Sequence, residues 1–563
     1  MAHRHPRGSC IPSQTKVSSS YMYTLCCILN RLCRCLHFSI QCSEDRFDST
    51  MLFTFFVFFF REKGFIGLPR RLVPRRCLRS ASSDVLSLRF NRAEAAIETP
   101  DIRCRYIDCV SMFPHLMSSE LFPCGPYQVL VGDMTKALKR QGNEFFYQGK
   151  VVYGLAFCYM QAPPSLSPDA PTLMFQSPLS GRMIKSLCRS CALSLNKNFC
   201  EHEGFDRLLE VECTFEDLKQ SLVDKYTLFS FKEAYIFTEA KKIGGSFFPT
   251  LIRAKLVASG NESGGVLSDE QYASKLNEEM GYHGDLKIQP GELIANPIQR
   301  QLVKSILVSC LGNMGRRLDY PNLITVDNLE TLQRLLEYRT VLSLTPVGEE
   351  WVVVSVKAAA KSKDYASVKF NVVLASYLTS YARSWMRRQV RAISNHPGAS
   401  VLSYECDSVL YLESASNPVT ELDWGYSMGK CRNVIPGAEI VSYHSLGTKA
   451  IHLAYIQDNK LKHLTRLRGL NCDNSMNISE ICTSNFDKLL QAYVQKFYMK
   501  INLKTFKSHG NSLTQLPEQR FMNYELSSNL ALNRIILSDY STRSFGTKKP
   551  LLDCIDSEDL EEN

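Results

Sequence analysis

The chain has 563 residues, 45% hydrophobic and 22% charged, which excludes a wholly disordered polypeptide and leaves room for several domains. Its formal charge of +10 is unevenly placed: residues 1–100 hold 15 Lys and Arg against 7 Asp and Glu, so +8 lies there and the remainder is near neutral at +2. Bulk charge therefore does not single out nucleic acid, and 21 scattered cysteines in so long a chain read as reduced thiols of an intracellular protein, not as a secreted disulfide framework.

In chain order, residues 1–85 stand apart. They are rich in Arg, Ser, Cys and Phe, with clusters such as Cys33-Arg34-Cys35 and Arg70-Arg71, and carry neither helical nor strand periodicity. A basic disordered arm and translated sequence outside the folded protein are both open readings. Glu44, Asp45 and Asp48 interrupt what would otherwise fit a mitochondrial targeting segment. The apolar run Met51–Phe60 is ten residues long. A helix needs about 20 to span a bilayer, so no membrane segment is expected.

From Ser87 onward the pattern is mixed α and β, an α/β (α+β) fold. Arg105–Val110 ends an apolar strand at Asp108, followed by a turn to Pro114. Asn296-Pro297 opens a helix that carries Lys304 and Ser309 and is expected to stop at Gly312. Val352–Val356 and Val401–Leu412 read as strands, the second broken by a turn at Glu405-Cys406-Asp407-Ser408. Phe370–Ile393 reads as a long helix bearing Arg383, Arg387, Arg388 and Arg391, and 553–563 as an acidic solvated tail.

Asp108 and Asp407 are the central carboxylates. Nucleotidyl transfer needs two divalent ions about 3.5–4 Å apart, and Mg²⁺ takes carboxylate, water and phosphate oxygens. Two aspartates at adjacent strand ends would serve. Lys304 on its helix could neutralise a triphosphate, with Ser309 and Gly312 one to two turns further along. Taken singly, each feature is as well explained by a turn aspartate or a solvated lysine. Separately, Cys188-x-x-Cys191 and Cys200-x-His202 supply four ligands within fifteen residues, the pattern of a closed structural zinc site. Reduced cysteines in a loop are the other reading.

The order of these pieces resembles family B DNA polymerases. Asp108-Cys-Val-Ser111-Met-Phe113-Pro is similar to motif A, Lys304 to Gly312 to motif B, and Tyr404-Glu405-Cys-Asp407-Ser to motif C. The protein-primed branch, in particular the transposon-like Polinton or Maverick polymerases, is resembled further by Leu187–Ala192 with Cys200-Glu-His202, Lys255 within Leu251–Gly260, Gly447-Thr-Lys449, Arg466-Leu-Arg468-Gly and Ser544-Phe-Gly546. The resemblance spans roughly residues 86–550. It implies a right-hand architecture: 1–85 outside the domains, 86–130 palm, 131–270 an insertion with the Cys/His cluster, 271–320 fingers, 321–450 palm again, 451–550 thumb and C-terminal part, and 551–563 the tail.

By the same resemblance Asp108 and Asp407 would bind Mg²⁺, with Glu405 in place of the first motif C aspartate. Ser111, Phe113, Lys255, Lys304, Ser309 and Gly312 would contact the nucleotide, Phe113 as the sugar-selecting ring. Lys449, Arg466 and Arg468 would grip the primer. The implied partners are primer–template DNA, deoxynucleoside triphosphates and a terminal protein, in the nucleus or a virus-associated setting. Glu405, Cys406, Val308 and Leu311 depart from the family's motifs, and Glu405 moves its carboxylate by about one C–C bond, enough for a substantial loss of rate. A remnant that only binds primer–template DNA is therefore the alternative. No D-x-E pair precedes the polymerase-like region, so no 3′–5′ exonuclease is expected.

Overall fold

The computed structural model describes residues 101–466 apart from 135, 165–170, 178–182, 244–246, 264, 316–321, 348–350, 357–370 and 448–449, together with 89–90, 94–96, 497–508, 515–526, 535–536 and 542–549. The expectations for 1–85, Met51–Phe60 and 551–563 thus lie outside the described residues. The described part is mixed α and β, and within it no helix is long and apolar enough to cross a membrane.

Strand β1 (Ile102–Cys109) explains much of the arrangement. Successive side chains of a strand point to opposite faces. Ile107 and Cys109 enter the largest core, whereas Cys104 and Tyr106 enter a separate one beneath a second sheet. Tyr106 and Ile107 are therefore buried in succession, since both faces are covered at that end of the strand, whereas Arg103 and Arg105 alternate with Cys104 nearer its start. Asp108 follows at the end of the strand, on the same side as Tyr106.

Helix α1 (Met112–Ser119) comes next, where only a turn was expected. Ser111 takes a left-handed φ of 51° to redirect the chain, and Pro114 sits in the first turn, where a missing N–H costs nothing. Met112, Leu116 and Met117 anchor this helix in the largest core.

Strands β2 (Phe122–Val131), β3 (Tyr153–Gln161), β4 (Leu209–Thr214) and β5 (Thr227–Lys241) build an antiparallel six-stranded sheet, ordered Met183–Ile184, Phe175–Gln176, β4, β3, β5, β2. Between β4 and β5 runs helix α2 (Phe215–Val223), N-capped by Thr214, whose side chain accepts from the Asp217 amide. This sheet has its own core, which also takes in Ile535 and Phe545. Gly154 marks its tightest approach: φ is +120° and a Cβ would lie 1.9 Å from the Tyr235 carbonyl oxygen. Its amide instead donates to the Tyr377 hydroxyl at 2.6 Å.

Helices α3 (Phe247–Ser259), α4 (Asp269–Met280) and α5 (Pro297–Met314) return to the largest core. Asn296 accepts from the Gln299 amide at 3.0 Å and opens α5 as the Asn-Pro pair predicts. The expected stop at Gly312 is corrected: α5 runs through it to Met314. Glycine in a helix interior costs about 1 kcal/mol relative to alanine, and burial of Met314 in the core offsets that.

Helix α6 (Val372–Asn395), capped by Asn371, is buried nearly all round because it lies between the two large cores. Leu374, Leu378 and Trp385 pack into one. Ser380, Arg383 and Arg387 face acids of the other unit. Strands β6 (Ser400–Glu405), β7 (Ser408–Ser414) and β8 (Cys431–Asn433) complete the sheet of β1, in the antiparallel order Arg89–Phe90, β6, β7, β1, β8. A further sheet holds Glu94–Ala96, β9 (Glu439–Gly447), β10 (Ala450–Gln457) and β11 (Lys460–Arg466).

Candidate active site

The sheet register determines which acids meet. Asp108 lies opposite Ser408 on β7 and opposite Arg432 on β8. Beside it, the Cys109 amide donates to the Asp407 carbonyl at 2.7 Å. Asp407 is the second residue of the two-residue turn joining β6 to β7, whose strands pair at Glu405 and Ser408. The first turn residue, Cys406, holds a left-handed φ of 58°, which such hairpins need and side-chain-bearing residues resist.

The two acids are electrostatically coupled. Burial, then the charge of Asp407, pushes the Asp108 carboxyl up to about 7, with Arg432, Arg466 and Lys304 pulling the other way. Asp407 is likewise raised by burial, against hydrogen bonds from its own backbone and Cys406 and the charges of Arg466 and Lys304. Arg432 Nη2 is 4.0 Å from Asp108 Oδ2, too far for a hydrogen bond. Its Nη1 is instead 3.3 Å from Glu262.

A basic wall borders this pair. Lys255 on α3 donates to the Ser111 hydroxyl, tying α3 to the bend after β1. Burial first, then Arg300, lower its ammonium to about 8, with Glu262 opposing and Arg432 and Lys304 adding to the effect. Arg300 on α5 reaches Glu262 at 3.5 Å and donates to Ser259 at 3.0 Å. Lys304, one turn beyond Arg300, is exposed on α5. Arg466 lies 5.8 Å over the Tyr106 ring, at the end of β11 and within electrostatic reach of both aspartates.

The remaining sequence candidates fall as follows. Glu405 is the last residue of β6 and half-buried. Phe113 is half-buried on α1, against the largest core. Ser309 is exposed, its hydroxyl donating to the Ser305 carbonyl at 2.7 Å, and Gly312 is interior to α5. Lys449 and Arg468 lie outside the described residues. Cys188, Cys191, Cys200 and His202 come together, away from these acids, in the core of the six-stranded sheet.

Three residues of the site were not singled out from sequence: Arg300, Glu262 and Arg432. Arg300 precedes Lys304 by four positions and so shares its helix face, a signal that was there to use. Glu262 and Arg432 carry no motif; only the tertiary fold brings them beside Asp108.

No family model matches this chain, and no curated protein matches it. Among solved structures, Phi29 DNA polymerase in an orthorhombic crystal form is 13% identical, covering 85% of this chain and 68% of that one at a TM-score of 0.48. Phi29 DNA polymerase complexed with primer-template DNA and incoming nucleotide substrates is 12% identical, over 86% and 68%, at 0.49. The same polymerase complexed with single-stranded DNA is 12% identical, over 86% and 68%, at 0.47. Similarity of this degree assigns neither family nor activity.

Proposed function

We propose that this chain is a DNA-directed DNA polymerase that adds deoxynucleotides to a primer 3′ end during DNA replication. The observation that carries the reading is the meeting of Asp108 and Asp407, from distant parts of the chain, at adjacent ends of one sheet, under a wall of lysine and arginine. Two half-buried carboxylates whose pKa values are raised are held close with, among the described residues, no hydrogen-bonded cation, and hard oxygen donors of this kind fit Mg²⁺. Asp108 and Asp407 would hold two such ions, which supply activation of the primer 3′-oxygen and charge stabilisation on the triphosphate.

The chain's own residues do the rest. Lys304 and Lys255 present positive charge to the triphosphate, and the lowered pKa of Lys255 is restored when phosphate charge arrives. Ser111, tied to Lys255, sets the bend that aims Phe113 and the end of β1. Phe113 excludes a 2′-hydroxyl, Ser309 and Gly312 belong to the helix that borders the nucleotide, and Arg466, with Lys449 and Arg468, holds the primer backbone. A protein hydroxyl as primer, supplied by a terminal protein, and a transposon or viral origin of the Polinton type belong to the same reading.

The test is extension of a primed DNA template with Mg²⁺ and deoxynucleotides, against the D108N and D407N proteins. Template-dependent extension lost in both variants supports the reading. Extension by neither wild type nor variants, with primed DNA still bound, establishes the alternative remnant, for which Glu405 in the motif C position is the specific reason. Failure to bind primed DNA at all overturns both.

A further inference from the structure

We propose that Cys188, Cys191, Cys200 and His202 bind one zinc ion in a closed site, and that this site fastens the segment Ser544–Thr547 to the six-stranded sheet through Arg207. The inference is independent of the polymerase reading. It begins with geometry. The ligand atoms of the four side chains all lie within 4.8 Å of one another. His202 Nδ1 is 3.4 Å from Cys191 Sγ and 3.6 Å from Cys200 Sγ. A tetrahedron with Zn–S of about 2.3 Å and Zn–N of about 2.0–2.1 Å has N···S edges of about 3.5–3.6 Å. The spacing is therefore that of ligands sharing one ion.

Local chain geometry builds the site. Cys188 precedes a short helix, Arg189–Ser194, which places Cys191 one turn on. The Ser186 hydroxyl accepts from the Cys188 amide at 3.1 Å, and the Asn196 side-chain amide donates to Cys191 Sγ at 3.7 Å. All three cysteines are buried, Cys188 and Cys191 with 0% exposure and Cys200 with 4%.

Charge supplies an independent argument. Arg207 is only 2% exposed, yet its hydrogen bonds end on Cys200 Sγ at 2.9 Å, the Gly546 carbonyl at 3.2 Å and the Pro163 carbonyl at 3.5 Å. A buried guanidinium is costly unless negative charge accompanies it. Three thiolates and a neutral histidine around Zn²⁺ carry one net negative charge, which Arg207 neutralises. Uncharged thiols would leave it only the exposed Glu203, which is itself paired with Lys548.

The same arginine reaches the second half of the proposal. Ser544–Thr547 lies along the ligand loops: the Leu187 amide donates to the Phe545 carbonyl at 2.8 Å and the Cys200 amide to the Thr547 carbonyl at 2.9 Å. Phe545 is buried in the sheet's core. Gly546 holds φ at +84°, and a Cβ there would fall 2.5 Å from that of Cys188. Only glycine lets this segment close over the first ligand.

The test uses the full chain. Purified protein should carry one zinc per chain, and cobalt exchanged for it should give the intense visible absorption of a tetrahedral thiolate site. Stripping the wild-type protein with a chelator should speed trypsin cleavage after Arg543 and Lys548 about tenfold or more, and zinc should restore protection. G546A should retain the ion and lose the protection. Absence of zinc together with a weak octahedral cobalt spectrum would overturn the site. Zinc present, with cleavage unmoved by chelation and by G546A, would overturn the fastening.

Discussion

Asp217 is buried and Asp108 half-buried, and their carboxyls shift in opposite directions. Burial would raise Asp217, but Arg383 grips it with two hydrogen bonds at 2.9 and 2.6 Å, Ser380 and Thr214 donate as well, and the carboxyl is held below the usual range. Asp224 is similarly engaged by Arg387, at 2.8 Å, and by Arg391 and Thr172. Around Asp108, cations are as numerous, yet Arg432 stands 4.0 Å off and turns to Glu262. The first pair uses its charge to join α6 to the six-stranded sheet. On the proposed reading, the second leaves its charge available to a metal ion and a phosphate.

The sharpest way to break this comparison is kinetic. D407N should lower primer extension by about a thousandfold or more, since a metal-borne step is lost, while binding of primed DNA persists. Extension near the wild-type rate would place Asp407 among ordinary turn residues.

Next in size is the structural acid. D217A strands Arg383 in the interior and should destabilise the protein by about 3–5 kcal/mol in denaturant unfolding. Because folding depresses the Asp217 pKa, its contribution is present at neutral pH and is lost as pH falls below about 4. Unaltered stability would mean that the ion pair is not what joins the two units.

Nucleotide use offers a smaller, more pointed measurement. K304A and K255M should each raise the Michaelis constant for deoxynucleotide about tenfold or more, with primed-DNA affinity little changed. With Lys255 held to about 8, the wild-type constant should itself rise between pH 7 and 9, and K255M should flatten that rise. Loss of DNA affinity in place of nucleotide affinity would reassign both lysines.

Asp108 then gives the mirror image of Asp217. Its folded pKa of about 7 exceeds the unfolded value of about 3.9, so without metal its ionisation opposes folding, and stability is lost as pH rises through that window. D108N should melt above wild type in metal-free buffer, by a margin that grows between pH 4 and 7 and then levels. A margin independent of pH would remove the electrostatic account.

The smallest effect belongs to Arg466. R466Q should flatten the logarithmic salt dependence of primed-DNA binding by about one unit, the signature of one phosphate contact. An unchanged slope would leave Arg466 as a cap over Tyr106 and nothing more.

Much of this was legible in the sequence. The periodicity of Phe370–Ile393 announces α6, Asn296-Pro297 the start of α5, and the Glu405–Ser408 turn the β6–β7 hairpin, because each is a local preference of a few neighbouring residues. Gly312 misled for the same reason: a local stop signal was overruled by burial of Met314, which lies outside any local window. The helix after Ser111 was missed because it depends on a left-handed residue and on a core that the motif does not contain.

What the sequence alone determined is the inventory: the order of Asp108, Lys304 and Asp407, the C-x-x-C and C-x-H spacing, and the apolar periods that choose helix or strand. What only the tertiary structure decided is which charges meet. Register across β1, β7 and β8 sets Arg432 and Asp407 beside Asp108, and α6 delivers Arg383 to Asp217, while Ser544–Thr547 returns to Cys188. The physical reason is that a side chain's type is local, whereas its burial, its partner and hence its pKa depend on residues hundreds of positions away.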